Sequence, residues 1–224
     1  DLLGIEVDYL PNGSIKLHQT TYIRKMIERF CPNGPRTDAG TRLPYSPSFL
    51  QAVADALSLP AGSHPELLRD MQERIGCLMY SATSTRPDIA FAVQYLCRCL
   101  QRPTPALIAE TDHIFAYLAR HPSAGLTFDR VPSRLQGHAD ASWETAASTS
   151  GWVVQWQGAA LQWGSRKQKS IALSTCEAEI IALCEGAKDM HMVYFRKLVG
   201  GLGAPETGPS PLATDSQSAH NVSY

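Results

Sequence analysis

Apolar residues recur along this chain with two periods. Before residue 130 the helical period dominates; after Leu135 the pattern alternates residue by residue. Residues 2–18 alternate well enough to predict two strands joined at Asn12-Gly13, the favoured pair for a tight hairpin. A helix is predicted next, capped by Thr20 or Thr21, with Ile23, Met26, Ile27 and Phe30 at the spacing of a buried stripe. From Cys31 to about Gly62 the chain is rich in Pro, Gly and Ser, which predicts a linker or extended loop broken by a short helix near Phe49–Leu57. Three helices follow. The first runs from Pro65 to about Ser81 with Leu68, Met71, Ile75, Leu78 and Met79 on one side. The second starts at Arg86-Pro87 and carries Ile89, Val93, Leu96 and Leu100. The third follows Pro105, carries Leu107, Ile114, Phe115 and Leu118, and ends near His121-Pro122. Three short helices with one apolar stripe each need one another to bury those stripes.

After Leu135, "LQGHADAS", "SGWVVQW" and "AALQWGS" read as three strands with short polar links, an antiparallel meander. One long helix is expected from about Ser174 to Leu202, then a short strand at Pro211–Thr214 and a helix from Ser216. That order is α/β, with the last strand expected parallel to the first. It divides the chain at 1–62, 63–130 and 131–224.

Composition narrows the function classes. With 224 residues and 44% apolar content the chain can bury a core, and a net charge of −1 leaves nucleic-acid binding to local patches. No apolar run reaches a membrane span and no signal peptide is evident, so no membrane partner is expected. Six cysteines lack zinc-ligand spacing. Four of them, Cys77, Cys97, Cys99 and Cys184, sit inside apolar helical patterns, which fits buried reduced thiols in an intracellular compartment. The chain starts at Asp1 without a methionine and reads as a fragment of something longer.

Three acids stand out by position: Asp140 ending the first strand of the later module, Glu179 in the first turns of the long helix, and Asp215 ending the later strand. In an α/β sheet, strand carboxyl ends and helix starts gather at one edge, where ligands bind. Carboxylates gathered there repel one another unless a cation neutralises them, and magnesium, an oxygen-seeking ion that recruits phosphates, suits the task. Taken singly, Asp140 also reads as a turn residue, Asp215 as a helix cap, and Glu177 or Glu179 as a partner of the helix dipole. Arg166, Lys167 and Lys169 crowd the link before the long helix, as phosphate contacts or as a solvated loop. Ser216 and Gln217 are candidates for hydrogen bonds to sugar or phosphate. His138, His191 and His220 are read as exposed or hydrogen-bonded rather than catalytic, and Trp152, Trp156 and Trp163 as packing residues.

The order and spacing of "GHADASW", "STSG", "SRKQKSIALST", "EAE" and "TDSQSA" resemble the ribonuclease H domain of copia-type retrotransposon Pol polyproteins. "LLGIEV" and "TRPDIAFAVQYL" are similar to the end of the same polyprotein's reverse transcriptase. The resemblance implies an α/β ribonuclease H-like mixed sheet lacking its C-terminal part, preceded by a palm-exit β-hairpin and a three-helix thumb-like bundle. It implies that Asp140, Glu179 and Asp215 hold two magnesium ions, or manganese in their place, and cleave the RNA strand of an RNA–DNA hybrid. The partners implied are that hybrid and the remainder of the Pol polyprotein, in the cytoplasm (in a virus-like particle) or the nucleus. Ser142 stands where the family has an acid that is not a metal ligand. The family's fourth aspartate lies beyond "TDSQ", and the polymerase aspartates would precede residue 1. The alternative reading is therefore an inactive, truncated or decayed remnant that at most binds nucleic acid.

Overall fold

A computed structural model describes residues 3–35, 42–130, 134–143, 148–189, 192–205 and 207–222. Two strands open the chain, β1 (Glu6–Tyr9) and β2 (Ile15–His18). The hairpin between them is longer than the two-residue turn expected at Asn12-Gly13. Leu10 and Ser14 close the loop (N–H to carbonyl, 2.9 Å), the Asn12 side chain accepts from the Ser14 amide at 3.0 Å, and only Gly13 turns to positive φ (83°). Pro11 explains the difference: its fixed φ suits the second position of an ordinary turn, which then needs one further left-handed residue to rejoin the ladder. A strand absent from the sequence reading, β3 (Gly125–Phe128), joins this sheet in the order β1–β2–β3. Gly125 is required there, because a Cβ would lie 2.1 Å from the Leu17 carbonyl oxygen.

Helix α1 (Thr20–Phe30) starts at the expected place with a different cap. Gln19 holds the N-cap position without a side-chain cap bond, and the Thr21 amide is met by Glu6 Oε1 at 2.7 Å. The capping oxygen comes from β1, where local sequence gives no sign of it. Helices α2 (Phe49–Ser58), α3 (Pro65–Ser84), a single 3-10 turn at Pro87–Ile89, α4 (Ala90–Cys97) and α5 (Pro105–Arg120) complete the helical part. Most of the stripes predicted for α3, α4 and α5 are buried in one cluster, with Met79 and Leu100 at its margin and Leu68 outside it. Ile23 and Met26 of α1 and Phe49, Val53 and Ala56 of α2 share it, so the stretch expected as a linker supplies core residues. Residues 1–62 and 63–130 thus contribute to one hydrophobic core rather than two.

Two cations are buried inside this core. Arg86, 1% exposed, forks onto Asp88 (Nη2 to Oδ2, 2.7 Å) and donates to the His121 carbonyl at 2.9 Å. Arg74 reaches Asp70, Thr111 and Asp112 and lies over the rings of Phe30 and Phe115. Cys99 is buried as expected and its thiol titrates high because of that burial, whereas Cys184, also expected inside, is exposed on α6. Leu183 beside it packs against Leu135, Ala139 and Val154, whereas Cys184 is turned outward.

The later part is a four-stranded sheet in the order β6–β5–β4–β7, built from β4 (Gln136–Ser142), β5 (Thr149–Trp156), β6 (Ala159–Lys167) and β7 (Leu212–Ala213). β4, β5 and β6 pair antiparallel, and β7 lies parallel to β4. Gln157 and Gly158 both take positive φ (51° and 78°), the pairing a two-residue hairpin turn requires. Helix α6 (Thr175–Asp189) packs on β4 and β5, and Leu183 joins Leu135, Ala139 and Val154 in a second core. The single helix expected over 174–202 is described as α6 and α7 (Met192–Gly201), on either side of two positions outside the described residues. Helix α8 (Gln217–Val222) ends the described chain. Residues Asp1–Asp8 with Lys16–Leu126 form one compact unit, and Tyr9–Ile15 with Thr127–Tyr224 form the other.

Candidate metal centre

Alternation along β4 sets the first acid. Leu135, Gly137 and Ala139 are buried, while Gln136, His138 and Asp140 are exposed, as one side and then the other of a pleated strand. β7 lies beside it in register, Leu212 opposite Gly137 and Ala213 opposite His138. Each chain runs two residues further to its aspartate, so Asp140 and Asp215 come level at the same edge.

Helix α6 supplies the third acid, and its two glutamates divide their roles. Ser174 caps the helix, its hydroxyl accepting from the Glu177 amide at 3.1 Å. The Glu177 carboxylate reaches back to the Leu173 amide at 2.7 Å, close to a reciprocal capping box. Glu177 is therefore spent on the helix start. Glu179, two residues on and roughly 200° around the helix, points elsewhere.

Asp140, Glu179 and Asp215 each offer a carboxylate oxygen within 4.8 Å of the others. Asp140 and Asp215 are exposed and Glu179 is 8% exposed. Burial pushes the Glu179 carboxyl above its usual range, the negative charges of Asp140 and Asp215 add to the rise, and the Ala141 amide opposes it by donating a hydrogen bond. Glu179 Oε2 is buried without a hydrogen-bond donor. A buried anionic oxygen without a donor, beside two more carboxylates, is a costly arrangement on its own. These three residues fit a hard divalent cation: all the ligand atoms are oxygen, the set is negatively charged, and its exposed side leaves room for water or phosphate.

The remaining candidates divide. Lys167 lies opposite Thr149, which lies opposite Ser142, so it shares the strand face of Asp140. Arg166 lies on the other face, its guanidinium 5.0 Å above the Trp152 ring. Lys169 is exposed beyond the end of β6. Ser216 is engaged locally, accepting from the Ala219 amide at 3.2 Å as the cap of α8, and Gln217 bonds Asn221 at 2.9 Å. Trp152 and Trp156 pack against the second core, His138 is exposed, and His191 and the side chain of His220 lie outside the described residues.

One polar residue escapes sequence reading. Gln168 sits in the basic link and is 3% exposed. Its amide nitrogen donates to Ser150 Oγ at 3.0 Å and to the Ala178 carbonyl at 2.9 Å, and its backbone amide donates to the Ser148 carbonyl at 2.8 Å. No periodicity marks it, because it lies between elements and is surrounded in sequence by charge.

No family profile matches the chain. It is 30% identical over 218 residues to the retrovirus-related Pol polyprotein from transposon TNT 1-94 of Nicotiana tabacum, across 92% of the chain and 15% of that relative. It is 29% identical over 222 residues to the retrovirus-related Pol polyprotein from transposon RE1 of Arabidopsis thaliana, across 97% of the chain and 14% of that relative. Over 127 residues it is 35% identical to the secreted RxLR effector protein 161 of Plasmopara viticola, across 54% of the chain and 89% of that protein. The chain thus spans about one seventh of the polyproteins' length, and both alignments run through nearly all of it. An alignment of that extent leaves neither unit of the fold outside the likeness: the chain is homologous to one segment of the retrovirus-related Pol polyproteins of transposons.

Proposed function

We propose that residues 131–224 form a ribonuclease H-like domain that hydrolyses the RNA strand of RNA–DNA hybrids with magnesium, manganese serving in its place. The observation that carries this reading is the convergence of Asp140, Glu179 and Asp215 within 4.8 Å at one sheet edge. The strand and helix order and the motifs around each acid support it. Bound there, a pair of divalent ions would supply a water of lowered pKa and stabilise the leaving oxygen.

The chain's own residues prepare that chemistry. Asp140 and Asp215 present oxygens to solvent, where a phosphodiester can approach, and buried Glu179 fixes the inner side of the site. Lys167, on Asp140's face, attracts the phosphate backbone without reading sequence, and Lys169 extends that attraction. The helical unit is proposed as the end of a reverse transcriptase that holds the same hybrid. A second reading, binding without cleavage, rests on the three-carboxylate set, which is small for two ions. A hybrid-cleavage assay with magnesium decides between them. The wild-type chain is expected to shorten the RNA strand, and Asp140→Asn to abolish this. Cleavage unchanged in that variant overturns the nuclease reading, while hybrid binding without cleavage in the wild type favours the second.

A further inference from the structure

The geometry points to Gln168 as a positioning residue that sets Glu179 against Asp140; this rests on the metal-centre reading above. Of the two hydrogens of its side-chain amide, one goes to the carbonyl of Ala178, the residue before Glu179. The other goes to Ser150, on the strand paired with that of Asp140 and directly opposite Ala141, the residue after Asp140. A single planar group therefore spans from the sheet to the first turns of α6 at the level of the site.

The contacts that start α6 do not do this. Ser174 and Glu177 bond within the helix and its entry, so they fix where the helix begins and leave its height over the sheet free. Gln168 ties that height to the strands, and its backbone is held in turn by the Ser148 carbonyl. Burial keeps water from competing for these bonds, which strengthens them. The side-chain oxygen of Gln168 is buried without a partner, so the residue is used for its donors alone. An acceptor-only glutamate could not donate to the Ala178 carbonyl, and a shorter asparagine would not span the gap. Residues that hold metal ligands in place typically change affinity or activity roughly 10–100-fold when replaced.

The test is Mn²⁺ binding, read as free Mn²⁺ by electron paramagnetic resonance, for the whole chain and for Gln168→Met, which keeps length and removes both donors. Circular dichroism melting reports folding alongside. The expected result is a cooperatively folded variant whose Mn²⁺ dissociation constant rises at least about tenfold. A folded variant that binds Mn²⁺ as the wild type does overturns the proposal. Should Gln168→Met fail to fold, Ser150→Ala, which removes one of the two bonds, decides: weaker Mn²⁺ binding supports the assignment and unchanged binding refutes it. A wild-type chain that binds no Mn²⁺ overturns the metal-centre reading itself, which separates the two failures.

Discussion

Glu179→Gln is expected to make the metal-free protein more stable while removing its response to magnesium. Two unit charges at 4.8 Å, the span of the acid cluster, repel by about 3.5 kcal/mol at an effective dielectric near 20 and about 0.9 kcal/mol in water. Asp140 and Asp215 are exposed, so the lower figure governs, and neutralising Glu179 removes two such repulsions, a gain of about 1.7 kcal/mol. For a unit of this size that is a rise of about 7 °C in Tm. The glutamine keeps the shape and gives Asp140 a donor. The pH dependence has a definite sign. The folded-state pKa of Glu179 lies above its unfolded value, so the native state holds that proton more tightly. Stability of the wild type therefore falls as pH rises from the ordinary glutamate range through the raised value, and the variant loses that slope. With magnesium the order reverses. At about a hundred times its dissociation constant the ion stabilises the wild type by about 2.7 kcal/mol and leaves the variant unmoved. Thermal melts in chelator and in magnesium, repeated across pH, measure all three effects. Equal melting in chelator, or a magnesium shift that survives the substitution, refutes the reasoning.

Arg86→Met should destabilise the helical unit by about 3 kcal/mol, because it leaves Asp88 without its partner beside the core; denaturant unfolding measures it. In the wild type, burial works to raise the Asp88 carboxyl, yet the Arg86 guanidinium holds it below the usual aspartate range. That stabilisation is present above the unfolded value and lost as pH falls through the folded one, and the variant should lose this acid sensitivity. Glu177→Ala should lower Tm by weakening the start of α6, by about 1 kcal/mol in stability, while Mn²⁺ binding measured on the folded protein stays within twofold of wild type. A loss of binding comparable to that of Glu179→Gln would show that the two glutamates are not divided as the hydrogen bonds divide them.

The sequence by itself marked out most of the elements and singled out the three acids that the fold brings together. Period and punctuation suffice for that: Ile75, Leu78, Val93, Leu96, Ile114 and Leu118 lie buried where a 3.6-residue stripe predicts, and the alternation of "LQGHAD" sets Asp140 on the exposed side of its strand. Helix geometry told only that Glu177 and Glu179, two apart, cannot share a face; the choice of Glu179 came from the family resemblance, and the capping bond of Glu177 to the Leu173 amide agrees with it. What only the tertiary structure decided are partnerships between residues distant in the chain. β3 is four residues long and gains its identity from pairing with β2, and the stretch around α2 becomes core because α1, α3, α4 and α5 leave a place for Phe49 and Val53. Arg86 and Gln168 are buried against the rule for their residue types, because each finds acceptors that chain-local patterns do not register. Arg166 and Lys167, adjacent in the sequence, are sent to opposite faces of the sheet by a pleat whose register only strand pairing fixes.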